Sequence, residues 1–106
     1  MNLLSRSEEI ILVAILKLED KAYGLSIRNQ IFEDTGDKWS FASIYQPLGR
    51  LVKKKYISRS QGEPTPGRGG RNRYYYALTR QGRRALLEIK TAHECVWRGA
   101  PRIAVD

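Results

Sequence analysis

The side chains able to do chemistry here are few in kind. The chain has one histidine, His93, and one cysteine, Cys95. Its acids are scattered along expected helix surfaces, so no convergent acid, base and nucleophile set is in view and an enzyme is not expected. A single cysteine excludes an intramolecular disulfide and a cysteine zinc cluster, and no cofactor is implied. Gly67-Arg68-Gly69-Gly70 has the glycines of a phosphate cradle. It lacks the Gly-Lys-Ser/Thr ending and precedes a strand rather than a helix, which argues against a nucleotide loop. What the chain has in quantity is positive charge. Between Arg50 and Arg84 stand Arg50, Lys53, Lys54, Lys55, Arg59, Arg68, Arg71, Arg73, Arg80, Arg83 and Arg84, against Glu63 alone, in a chain of net charge +8. Charge of this sign and clustering suits a polyanion, nucleic acid foremost.

Two groups of residues carry that reading. The first is Ala42, Ser43, Gln46, Arg50 and Lys53, with Ser40 just before them. At helical spacing they form one face of short hydrogen-bonding and cationic groups. Ser43 and Gln46 suit base edges or phosphates, and Arg50 and Lys53 suit backbone neutralisation. The second group is Arg68, Arg71 and Arg73, in and beside a stretch from Gln61 to Gly70 with four glycines, two prolines and no apolar side chain. Glycine lets a backbone approach phosphate closely, and guanidinium groups pair with phosphate oxygens or enter a narrow minor groove. For both groups the plain alternative is a solvated surface.

Positioning these groups requires a scaffold that the pattern supplies. At 106 residues the chain is one domain's worth, able to bury a modest core. Ser5 and Glu8 form a capping-box signature before Ile10, Ile11, Ala14, Ile15 and Leu18, which predicts a helix over Arg6 to Leu18. Leu25, Ile27, Ile31 and Phe32 predict a second helix ending near Gly36. Ser40 caps a third, whose apolar positions Phe41, Ile44, Leu48, Leu51 and Val52 trace one buried face, with Pro47 inside it. Trp39 reads as core. Tyr56 to Ser60 and Arg73 to Leu78 read as strands on either side of the long loop. Thr79 caps a last helix with the apolar stripe Ala85, Leu86, Ile89, Ala92, His93, Val96 and Trp97. The expected fold class is α+β and mostly helical, a winged helix-turn-helix with a three-helix core, a two-stranded wing and a C-terminal dimerisation helix. In such a fold the third helix enters the major groove.

The run Tyr23-Gly24, then Ser43-Ile44-Tyr45-Gln46-Pro47-Leu48-Gly49-Arg50-Leu51, then Tyr56-Ile57, then Tyr74-Tyr75-Tyr76-Ala77-Leu78-Thr79-Arg80-Gln81-Gly82 resembles the PadR family of transcriptional regulators. The family order is kept over residues 8 to 90. The resemblance implies a winged helix, a homodimer and control of transcription, usually repression. It places Tyr45, with Ser43 and Gln46, against DNA and the arginines near Gly67 in the wing contact. The chain departs from the family at Lys21-Ala22-Tyr23 and in lacking its long C-terminal helical domain. That leaves the helix after Thr79 to make a dimer.

The resulting expectation is a DNA-binding unit over residues 1–79, a dimerisation helix over 80–98 and a flexible tail over 99–106. The partner is double-stranded DNA, read as a palindromic operator by a homodimer paired through Leu86, Ile89, His93, Val96 and Trp97, because two recognition helices must lie about 34 Å apart. A protein-binding adaptor on the same fold is the rival reading. His93 and Trp97 are also of the type that lines a pocket for a small aromatic effector, although aromatics at helical spacing are more often plain packing. Cys95 as a redox sensor has less behind it. No apolar run approaches the roughly 20 residues of a membrane span, and Glu8 and Glu9 precede the first apolar stretch, unlike a signal peptide. A cytoplasmic protein is expected, with no membrane partner.

Overall fold

A computed structural model describes residues 4–62 and 73–106. Its elements run α1 (Arg6–Leu18), a short 3-10 turn (Glu19–Lys21), α2 (Gly24–Thr35), α3 (Phe41–Lys53), β1 (Ile57–Gln61), β2 (Tyr74–Leu78) and α4 (Arg80–Trp97). The expected winged helix-turn-helix is the observed fold.

Local chemistry sets most of the boundaries. The Ser5 hydroxyl accepts from the Glu8 N–H at 3.2 Å and the Glu8 carboxylate accepts from the Ser5 N–H at 2.8 Å, which closes the capping box of α1. The Ser26 hydroxyl accepts from the Tyr23 N–H at 2.8 Å where α2 begins, and Gly36 ends that helix in the left-handed region at φ 80°. Ser40 caps α3 by accepting from the Ser43 N–H at 3.1 Å. Thr79 caps α4 in the same way, accepting from Gly82 at 3.0 Å while donating to the Lys55 carbonyl at 2.7 Å.

The core gathers Ile11, Leu12 and Ile15 of α1, Ile27 and Ile31 of α2, Ile44, Leu48 and Leu51 of α3, Ile57, Tyr76 and Leu86. α1 touches α2, α3, β2 and α4, so it is the hub on which the other elements pack. β1 and β2 pair antiparallel with Ile57 opposite Leu78 and Gln61 opposite Tyr74. The Tyr76 N–H also donates to the Ala22 carbonyl at 2.9 Å, which ties the hairpin to the connection before α2.

The first strand starts one residue later than the tyrosine suggests. The Tyr56 N–H goes back to Leu51 at 3.1 Å and its carbonyl accepts from Thr79 at 3.0 Å, so Tyr56 belongs to the turn. Three expected core residues are displaced outward. Leu25 and Phe32 are 44% and 51% exposed on α2, and Phe41 is 47% exposed on α3. Trp39 is half-buried and packs against the core edge. Residues 100–106 are exposed and carry no regular structure.

Candidate nucleic-acid interface

α3 buries Ile44, Pro47, Leu48 and Leu51. Pro47 supplies no N–H to the helix, and its ring fills part of the inner face instead. With 100° between successive residues, Ala42, Gln46, Gly49 and Lys53 then point straight away from the core, and all four are exposed. Ser43 and Arg50 lie on one flank of that outward line, and Phe41 and Tyr45 on the other.

The Ser43 flank faces the start of α1. Ser7, Ser40, Ser43, Gln46 and Arg50 border an open depression of about 490 Å³ that Lys38 and Trp39 also line. The Ser40 and Ser43 hydroxyls are 3.0 Å apart. Arg50 Nε lies 3.6 Å from a Glu8 carboxylate oxygen that Lys54 Nζ reaches at 2.8 Å. Glu8 is 3% exposed. Burial alone would raise its pKa, but the hydrogen bonds from Lys54 and from Ser5 outweigh that and hold it below the ordinary value of 4.5. Glu8 therefore stays ionised and anchors α3 to α1.

The Phe41 flank faces α2 and the wing. Phe41 lies at the edge of the buried arc in the first turn of α3, beyond the reach of the core. It stacks on Tyr45 with ring centroids 6.2 Å apart and lies under the Arg28 guanidinium at 4.7 Å. Arg28 Nε donates to the Trp39 carbonyl at 2.6 Å. A Cβ at Gly24 would collide with the Tyr45 hydroxyl, so the glycine is what lets that ring lie across the start of α2.

The expected wing cations fare differently. Arg73 is half-buried at the root of the hairpin, with its guanidinium 3.9 Å over the Tyr23 ring and Nη1 3.5 Å from the Tyr75 hydroxyl. Arg68 and Arg71 lie outside the described residues. Ser40, Ala42, Ser43, Tyr45, Gln46, Arg50 and Lys53 all sit on one exposed surface.

α4 divides its predicted stripe in two. Leu86 and Ile89 are each 9% exposed, covered by their own chain. His93 Nε2 reaches the Glu9 carboxylate at 3.1 Å, and Val96 and Trp97 are 76% and 59% exposed. Leu87, which the stripe did not include, is exposed as well, and so is Cys95. A periodic pattern marks a face without saying how far along the helix the core extends, which is why the two halves were not separable beforehand.

Gly49 was not singled out by the sequence either. Among the described residues nothing lies within 4 Å of a Cβ placed there, so packing does not require it, and glycine inside a helix costs about 1 kcal/mol relative to alanine. Gly49→Ala is therefore expected to raise stability by about 1 kcal/mol in chemical denaturation. A loss of stability would reveal a packing role that the structure does not show.

Among the described residues no helix is long and apolar enough to cross a membrane, and no group of three or more His, Cys, Asp or Glu side chains is placed to hold a metal ion. A recognition-type helix flanked by cations and followed by a hairpin defines a winged helix-turn-helix protein. Residues 11–88 match the sequence model of the transcriptional regulator PadR-like family. The chain belongs to that family, which is one of DNA-binding transcriptional regulators and not of enzymes. Solved structures agree. A PadR-like transcriptional regulator from Bacillus cereus is 29% identical, with 84% of this chain and 82% of that one covered and a TM-score of 0.68. A PadR-like transcription factor from Bacteroides fragilis is 26% identical over 84% and 81%, with a TM-score of 0.73. A transcriptional regulator from Clostridium thermocellum has the same fold at 24% identity over 86% and 85%, with a TM-score of 0.70. No curated protein sequence matches the chain.

Proposed function

We propose that the chain is a cytoplasmic, sequence-specific repressor that binds a palindromic operator in double-stranded DNA as a homodimer. The observation that carries this is the outward line Ala42, Gln46, Gly49 and Lys53 on a helix whose other side is core. Gln46 reads a base edge in the major groove, and Ser40, Ser43, Tyr45, Arg50 and Lys53 hold the flanking phosphates. Ala42 and Gly49 keep the helix surface low, so that its backbone lies close to the groove floor. Arg68 and Arg71 extend the contact to the neighbouring minor groove, and Arg73, at the root of the hairpin, pairs with a phosphate beside it. Residues 1–79 form the DNA-binding unit. The helix over 80–98 pairs two copies through His93, Val96 and Trp97 of the expected stripe, with the exposed Leu87 taking the place of Leu86 and Ile89, which their own chain covers, and 99–106 forms a tail. A small aromatic effector is assigned to that same end, beside Trp97 and His93.

The test is selection from a random duplex library at two salt concentrations. A palindrome should be enriched, with affinity falling steeply as salt rises, because phosphate contacts release counterions. Replacing Gln46 with alanine should relax preference at one base pair of each half-site, a change of about 1–3 kcal/mol. Replacing Arg68 should weaken binding evenly across sequences. Equal losses on every sequence for both variants would overturn this division of labour. Absence of binding at low salt would favour the protein-binding adaptor instead.

A further inference from the structure

We infer that the cleft between the start of α3 and the wing seats the sugar-phosphate backbone of one DNA strand, with aromatic rings against deoxyribose and arginines on its phosphates. The inference rests on the DNA-binding reading above and adds a contact surface to it. The cleft has a volume of about 450 Å³ and is lined by Tyr23, Leu25, Phe41, Tyr45, Arg73 and Tyr74, among others. Leu25, Phe41, Tyr45 and Tyr74 are each between 44% and 49% exposed. Such a cluster of exposed apolar side chains on one small chain marks a contact surface.

Its rim identifies the partner. Arg28 lies over Phe41 at 4.7 Å, Arg59 over Tyr74 at 4.6 Å and Arg73 over Tyr23 at 3.9 Å. The Nε of Arg73 is buried and has no hydrogen-bond partner among the described residues. A surface that alternates rings with guanidinium groups is poorly matched to a purely apolar partner helix, which would leave three cations desolvated. A DNA strand alternates in the same way, with the C–H faces of its sugars between its phosphates. The fold also puts the cleft in that strand's path. With α3 in the major groove and the hairpin over the adjacent minor groove, the strand dividing the two must cross the wall that joins α3 to β2. The ring of Tyr45 forms part of that wall because Gly24 leaves room for it.

The test measures binding of Phe41→Ala, Tyr74→Ala and Arg59→Ala, each in the full chain, to a random-sequence duplex and to the selected duplex over a range of salt. The replaced side chains lie outside the buried core, and thermal melting confirms that each variant is folded. Both aromatic variants should lose about tenfold in affinity on both duplexes with the salt slope unchanged, because the lost contact is apolar. Arg59→Ala should lower the slope by about 1. Phosphate ethylation on the selected duplex should block wild-type binding at the phosphates flanking the minor-groove contact. Unchanged affinity in both aromatic variants overturns the inference while leaving DNA binding intact. A loss confined to the selected duplex also overturns it, since the rings would then be reading bases. Failure of the wild-type chain to bind either duplex at low salt removes the DNA-binding reading itself and the inference with it.

Discussion

Gly82→Ala is expected to destabilise the fold by about 3 kcal/mol, seen as a fall of about 10–15 °C in the midpoint of thermal unfolding followed by circular dichroism. In an unconstrained helix the same change would gain about 1 kcal/mol, so the sign itself is the test. Gly82 lies in the first turn of α4, where a Cβ would meet the carbonyl oxygen and carbon of Tyr56. These are backbone atoms and have no rotamer by which to move aside. They are also held in place, because the Tyr56 carbonyl accepts from Thr79, the Lys55 carbonyl accepts the Thr79 hydroxyl and Lys55 turns the chain at φ 65°. Relief requires α4 to lift, which opens the contacts of Ala85, Leu86 and Ile89. A melting midpoint equal to or above that of the wild-type chain would show that α4 docks in some other way.

The second large effect is expected at Glu8. Replacement by glutamine keeps the shape but removes the charge that Lys54 and Arg50 share, and should cost about 2 kcal/mol near neutral pH. The cost stays below that of a fully buried pair because the Lys54 and Arg50 side chains are 41% and 50% exposed and regain water. The pH dependence follows from the lowered pKa of Glu8. A carboxylate held below its unfolded value contributes its full stabilisation above that value and loses it as pH falls through the folded one. The wild-type chain should therefore lose stability more steeply than the glutamine variant as the pH drops below about 4.5, and the two denaturation curves should converge in acid. Parallel curves throughout would mean that the carboxylate is not what ties α1 to α3.

Helix ends set by local chemistry were legible in the sequence. The Ser5–Glu8 box, the Gly36 stop and the Ser40 and Thr79 caps involve residues within a few positions of one another, so spacing alone reveals them. Membership of the winged-helix class was legible for the same reason. What periodicity could not reveal is where the core ends. Phe41 continues the apolar stripe of α3 but lies beyond the helices that cover Ile44, and on α4 the cover stops after Ile89. Contacts between distant residues were also out of reach. Glu8 and Lys54 are 46 residues apart, and His93 and Glu9 are 84 apart, and only the packed fold brings either pair together. The exposure of Ala42, Ser43, Gln46, Arg50 and Lys53 on α3 was legible as a set, while Gly49 was passed over because an exposed glycine looks ordinary until the structure shows that packing does not demand it.

The tethering of the arginines around α3 bears on the entropy of any encounter with an anion. Arg28 is pinned by the Trp39 carbonyl and the Phe41 ring, Arg50 by Glu8, and Arg73 by the Tyr23 ring. A free arginine side chain carries about 2 kcal/mol of rotamer entropy that binding would otherwise have to remove. Here part of that freedom is already lost on folding, so on the proposed DNA-binding reading the surface would meet the duplex preorganised. Affinity would then be gained at these positions through what binding no longer has to order, in addition to the contacts it makes.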